Sequence, residues 1–111
     1  MARWKIKNVG MKGVSMAVPE NVVKTSDFDF FSQEEAEVFD NTVGIRKRHI
    51  APDNMCASDM CQAAAEKLLE ELGWERDSID VLLFESVTGD YRTPPTSCIL
   101  QDRLALSENC F

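Results

Sequence analysis

The sequence predicts an α/β fold in which a mixed sheet is flanked by helices. Three observations carry this expectation. Residues 58 to 72 place their apolar side chains on one helical face. Val81-Leu82-Leu83-Phe84 is an apolar run without alternation, and residues 4 to 17 alternate polar and apolar. A first strand, a helix and a strand buried on both faces outline a right-handed β-α-β crossover.

Residues 4 to 17 are expected to form one long strand or a bent pair. Gly10 and Gly13 mark a bulge or a close backbone approach, and Pro19 ends the strand because it has no N–H to donate. Ser26-Asp27 offers capping oxygens before Phe28, Phe30 and Phe31. A helix is expected to begin at Ser32, with Glu35 at capping-box spacing, and to run through Ala36, Val38 and Phe39. Gly44 closes it in a left-handed conformation that glycine adopts without strain.

The helix over 58–72 shows Cys61, Ala64, Ala65, Leu68, Leu69 and Leu72 on one face and six polar or charged residues on the other. Ser58 is its expected N-cap and Gly73 its stop, with Trp74 packing back under the helix end. A short turn at Asp77–Asp80 leads into the 81–84 strand. A further helix is expected from Thr93 or Thr96 to about Ala105, with Pro94 and Pro95 at positions that lose no intrahelical bond. Asn109-Cys110-Phe111 reads as the start of another strand.

A chain of 111 residues accommodates one small domain or part of a larger one. Its apolar residues are periodic, which excludes disorder. The formal net charge of -7 disfavours nucleic acid and an anionic membrane surface. No apolar run approaches the roughly 20 residues that span a bilayer. The four cysteines, Cys56, Cys61, Cys98 and Cys110, form no C-x-x-C pair, so no zinc or thioredoxin-like site is signalled. With no secretory signal in view, they are expected to be reduced packing residues in a cytoplasmic protein.

His49 is the one histidine, so any Ser-His or Cys-His pair within the chain would need it. Its place directly after a helix, in Arg46-Lys47-Arg48-His49, suits a strand edge or interface instead. The basic run itself is expected to pair with the many carboxylates. Gly10-x-x-Gly13 lacks the dinucleotide fingerprint, and Asp27, Asp29, Glu34, Glu35 and Glu37 lack metal-loop spacing. The polar loop from Thr88 to Pro95 follows the buried strand at its carboxyl end, where α/β sheets place ligands.

Several segments, in order, resemble one family. Val18-Pro19-Glu20-Asn21-Val22-Val23 is similar to the "LPE-x-V-V" segment of the ketoacyl synthase III enzymes of the thiolase superfamily. Val43-Gly44-Ile45-Arg46-Lys47-Arg48-His49-Ile50-Ala51 resembles their "T-G-I-x-x-R-x-I-A" signature. Ala57-Ser58-Asp59-Met60, Ile79-Asp80-Val81-Leu82-Leu83 and the block from Thr93 to Leu104 match in turn, the last resembling "P-S-x-A-x-x-x-Q-x-x-L-G".

The resemblance implies a thiolase-like α/β fold of which residues 1–111 form the N-terminal part of the first half, incomplete in this chain. It implies acyl transfer to an active-site cysteine, then decarboxylative Claisen condensation with malonyl on an acyl carrier protein. The expected partners are that carrier, an acyl thioester and a second copy in a homodimer. No metal and no prosthetic cofactor is implied; CoA or phosphopantetheine thioesters are the substrates. No catalytic residue lies in this chain, the nucleophilic cysteine being expected about seven residues beyond Phe111. Val38 and Thr42 fall where the family carries a Trp and an Arg that hold the CoA adenine and phosphates, so stacking and charge-assisted binding are lost. Thr93 falls at the aromatic residue that crosses the dimer interface into the acyl pocket. Ala105 replaces the usual Gly after Leu104. The alternative is a non-catalytic, truncated thiolase-like partner or acyl-carrier-binding protein.

Overall fold

The computed structural model describes residue 5 and residues 7–111. Its elements are β1 (Val22–Lys24), α1 (Gln33–Val43), β2 (Lys47–His49), α2 (Ala57–Leu72) and α3 (Thr96–Arg103), with 3₁₀ turns at Thr25–Asp27 and Arg76–Ser78. β1 and β2 pair antiparallel, Val22 opposite His49, Val23 opposite Arg48 and Lys24 opposite Lys47. The loop and helix between them bring the ends together. Bonds from Ile50 N–H to Asn21 O (2.9 Å) and from Thr25 N–H to Arg46 O (3.3 Å) continue the pairing at both ends.

Helix α1 begins as its sequence dictates. Ser32 N–H donates to Glu35 Oε2 at 2.9 Å, and Glu35 N–H donates back to the Ser32 hydroxyl at 3.2 Å. Gly44 ends it at φ 79°, its N–H bonding Asp40 O at 3.0 Å. At the end of α2, Gly73 N–H bonds Glu70 O and Trp74 N–H bonds Leu69 O, the paired contacts of a Schellman motif. Trp74 thereby turns back beside Leu69 and Leu72, as expected. The start of α2 differs from expectation. Cys56, not Ser58, is the N-cap, because Asp59 Oδ2 reaches back to accept Cys56 N–H at 2.7 Å. Ser58 is left as the second residue of the first turn, facing inward and fully buried. Helix α3 takes the later of its two possible starts, with Pro95 as N-cap and both prolines ahead of the first turn.

The expected long strand over 4–17 does not form among the described residues, and part of it (Trp4 and Ile6) lies outside them. No neighbouring strand offers this segment a ladder. Its alternation survives as a division of faces. Val14 and Met16 are 74% and 75% exposed, while Ser15 and Ala17 turn inward. Gly13 is the close approach expected, since a Cβ there would stand 2.8 Å from Leu68 Cδ1 and 3.3 Å from Leu72 Cδ2. Gly10 meets nothing, so it marks no close approach.

The 81–84 run is extended but not buried on both faces. Val81 and Leu83 are 52% and 85% exposed, whereas Leu82 and Phe84 are half-buried. Phe111 N–H donates to Asp80 O at 2.9 Å, and Leu82 N–H donates to Phe111 O at 2.8 Å. One residue bonded to positions i−1 and i+1 of its neighbour is the pattern of parallel pairing. Phe111 alone makes this pairing; Glu108 and Asn109 form a turn closed by Cys110 N–H to Ser107 O at 3.0 Å, and no strand is formed over 109–111. Gln101 secures that turn, its side-chain amide donating to Ser107 O (2.9 Å) and Cys110 O (3.2 Å).

An apolar cavity of ≈ 140 Å³ lies between α2, the 80–82 segment and α3, lined by Leu68, Leu72, Leu82, Leu104 and Leu106 among others. The radius of gyration is 18.4 Å. A compact chain of this length would measure about 13 Å. The helices cover one side of the extended segments, and among the described residues no second layer covers the other.

Candidate functional site

Two clusters present themselves, one around α1 and one around the loop before α3. In the first, Arg48 on β2 points into a nest of rings. Its guanidinium lies 5.2 Å from the Phe39 ring centre and 5.8 Å from that of Phe28. Phe28, Phe30, Phe31 and Phe39 touch in succession, with centroids 4.7–5.3 Å apart. Arg48 also donates to the buried Thr25 hydroxyl at 3.4 Å, which in turn donates to Asp40 Oδ1 at 2.6 Å. The basic run was expected to form ion pairs. Among the described residues none of Arg46, Lys47 and Arg48 pairs directly with a carboxylate. Weakly hydrated guanidinium finds a better partner in stacked rings.

Val38 and Thr42 stand one turn apart on the outer face of α1. Together with Phe31, Phe39 and Val43 they line an open groove of ≈ 490 Å³, and Glu34 and Glu35 complete its lining. Val38 is 65% exposed. The groove contains two carboxylates and no cation. Hydrogen bonds from the Ser32 backbone N–H and then its hydroxyl hold the Glu35 carboxyl below its ordinary 4.5, so it stays charged.

The second cluster forms at the polar 88–95 loop that the sequence singled out, but the partners of that loop were not foreseen, because they are far apart in sequence. Asp90, in the loop after the 81–84 segment, accepts the Ser58 N–H at 3.2 Å through Oδ1 and the Ser58 hydroxyl through Oδ2. Arg103 Nη1 donates to the same hydroxyl at 2.7 Å and to Asp59 Oδ1 at 2.8 Å. Asp90 N–H donates to Thr96 Oγ1 at 3.1 Å. Asp59 is held below its ordinary 3.8, first by the Cys56 N–H and then by Arg103. Thr93 sits in this loop, exposed, with a cis peptide to Pro94. It does not line the α1 groove, so Val38 and Thr42 share one surface and Thr93 belongs to another.

Cys56, Cys61 and Cys98 are exposed and only Cys110 is buried, which corrects the expectation of four packing thiols. His49 is a strand-edge residue as expected, its Nδ1 lying 2.5 Å from Pro19 O. Among the described residues no His, Cys, Asp or Glu cluster could hold a metal ion, and no helix is long and apolar enough to cross a membrane.

No family model matches the chain. A β-ketoacyl-[acyl-carrier-protein] synthase III of Staphylococcus saprophyticus is 34% identical over 101 residues, covering 91% of this chain and 32% of that protein. The Geobacillus kaustophilus protein of the same name is 37% identical over 95 residues, covering 86% of this chain and 31% of its own length. The structure superposes on a 3-oxoacyl-(acyl-carrier protein) synthase from Burkholderia xenovorans with a TM-score of 0.79 and 36% identity, over 90% of this chain and 30% of that one. The chain belongs to the ketoacyl synthase III family.

It spans about a third of the length of the curated synthases it matches. Xanthomonas campestris OleA shares the thiolase-like fold at a TM-score of 0.75 and 24% identity. The ketoacyl-synthase-type architecture accounts for the uncovered faces: the parallel pairing at Phe111 and the apolar sides of 14–18 and 81–83 are those of a partial α/β layer.

Proposed function

We propose that this segment is scaffold for a ketoacyl synthase III-type acyltransferase whose nucleophile lies outside residues 1–111. The supporting observation is the parallel-type pairing of Phe111 with 80–82, with Gln101 holding Ser107 O and Cys110 O just before it. A strand continuing in that register would carry a cysteine about seven residues on to the head of a following helix. There its thiolate attacks the acyl thioester carbonyl and expels the carrier thiol. The carboxylate of a malonyl thioester then leaves as CO₂. The electron pair of the broken C–C bond becomes an enolate carbon, which attacks the acyl-enzyme and releases the cysteine thiolate. Hydrogen-bond donors at the oxyanion position stabilise the charge. The sequence of steps is redox-neutral and needs no cofactor beyond the thioester carriers themselves.

The donor is proposed to arrive on an acyl carrier protein rather than as free acyl-CoA. The groove lined by Val38 and Thr42, with Glu34 and Glu35 beside them, offers no cation for phosphates, and its two rings, Phe31 and Phe39, are already packed on each other and, for Phe39, on Arg48. The protein is proposed to work as a homodimer with the Thr93 loop near the acyl pocket. The test compares acyl-CoA and acyl-carrier donors side by side in the full-length protein. Carrier-borne donors should be preferred, and the double substitution Val38→Trp with Thr42→Arg should raise kcat/KM for acyl-CoA by about tenfold. Equal use of both donors by the unsubstituted protein would refute the donor assignment. Absence of any β-ketoacyl product with either would refute the enzyme.

A further inference from the structure

We propose that Asp90 is a positioning residue that fixes the Thr93 turn and thereby sets acyl-chain selectivity; this rests on the ketoacyl synthase reading of the site. The loop ahead of α3 has no regular structure of its own. It is held instead by a polar knot. Ser58 is completely buried and Thr96 is 5% exposed. A buried hydroxyl costs stability unless both its proton and a lone pair are used. Ser58 uses both, donating to Asp90 and accepting from Arg103 at 2.7 Å.

Asp90 also takes a helix N-terminal amide, the Ser58 N–H, at 3.2 Å. A carboxylate from a distant loop thus caps α2, where the helix dipole favours negative charge. Its own N–H is fixed by Thr96 Oγ1, the first residue of α3. One residue therefore ties the loop to the starts of two helices. Gly89 closes the turn from the other side, since a Cβ there would stand 3.3 Å from Thr96 Oγ1. Thr93 follows three positions later within this clamped turn, and its own side chain makes none of the holding contacts.

The knot requires two acceptors at position 90, one for the Ser58 N–H and one for the hydroxyl. Asparagine keeps the shape but supplies one acceptor and one donor group. Asp90→Asn therefore leaves Ser58 mispaired without emptying the space. In the full-length protein this variant should speed amide exchange across residues 89–95 by about tenfold. It should also shift the ratio of kcat/KM between short and long acyl donors by about fivefold. Thr93→Phe provides the second arm. It should alter the same ratio in the parent, and less so in the Asp90→Asn background, because coupled residues are non-additive.

A uniform fall in activity with an unchanged ratio would reduce Asp90 to a purely structural role and overturn the proposal. Additive effects of the two substitutions would overturn it as well. If the unsubstituted protein condenses no donor, the enzyme reading fails, and the selectivity role of Asp90 falls with it. The exchange arm then still decides the latch, and unchanged protection at 89–95 would sink that too.

Discussion

Ala105→Gly should stabilise this protein, and the structure gives the size of the effect. Ala105 lies at φ 49°, in the left-handed region, directly after Leu104 closes α3. Its N–H bonds Asp102 O at 2.9 Å, and Leu106 N–H bonds Gln101 O at 3.0 Å. Those are the two bonds of a Schellman motif, the same termination that Gly73 gives α2. An L-residue held in this region costs about 1–2 kcal/mol. Glycine returns part of that gain through the greater freedom of its unfolded chain, about 0.4–1 kcal/mol. The net expectation is a stabilisation of about 0.5–1 kcal/mol. In a domain much larger than this segment that corresponds to a rise in Tm of roughly 1–3 °C. Denaturant unfolding of the full-length protein, with the slope m checked for constancy, measures it directly. Equal or lower stability of Ala105→Gly would refute the reasoning, since it would mean the left-handed turn exacts no penalty from alanine. The reverse substitution supplies the control: Gly73→Ala, at φ 62° with open space around its Cβ, should cost about 1 kcal/mol from backbone strain alone.

Gly13→Val should destabilise by about 1–3 kcal/mol through overpacking against Leu68 and Leu72, while Gly10→Ala should leave the midpoint of unfolding within about 0.5 kcal/mol. Ser32→Ala should cost about 1 kcal/mol by opening the capping box of α1, seen as a lower Tm with helical content reduced at its start. Both Glu35 and Asp59 have carboxyls held below their ordinary 4.5 and 3.8, so their contributions are complete above those values. They are lost as pH falls through the lower native values. Glu35→Gln should accordingly flatten the acid limb of a stability-versus-pH curve below 4.5; an unaltered limb would show that the box is not charged in the way described.

How much was legible in the sequence depends on what each signal needs from elsewhere in the chain. Helices α1 and α2 were readable because their signals are local: Ser32 with Glu35, Gly44 and Gly73 at the ends, and an apolar stripe from Cys61 to Leu72. The strands were not. A strand is defined by a partner, and residues 7–18 meet no strand partner among the described residues. Val22–Lys24 was unreadable for the opposite reason, since its partner at Lys47–His49 lies beyond the whole of α1. Ser58 was misassigned as a cap because Asp59 takes the Cys56 N–H and starts the helix two residues earlier, while the distant Asp90 takes the N–H of Ser58 itself. The places of Val38, Thr42 and Thr93 came from family resemblance. The groove and the Asp90 knot came only with the coordinates.

The two clusters also divide the chain's chemistry by kind. Around α1 the charged group that matters, Arg48, is spent inward on rings and the Thr25 hydroxyl, which leaves the outer face apolar and acidic. Around Asp90 the charges are spent on order: Arg103 joins Ser58 and Asp59 through Nη1, and both carboxylate oxygens of Asp90 are taken by Ser58. The hydroxyls that donate to carboxylates in the two clusters, Thr25 and Ser58, are fully buried, and His49 is engaged with Pro19. On the proposed acyltransferase reading, such a segment would contribute by holding shapes, the groove at α1 and the turn at Thr93, rather than by moving protons. Substitutions within it are therefore expected to alter which acyl donor is accepted before they alter how fast a bound donor reacts. A large loss of kcat with unchanged donor preference, in any variant of Val38, Thr42 or Asp90, would contradict that division.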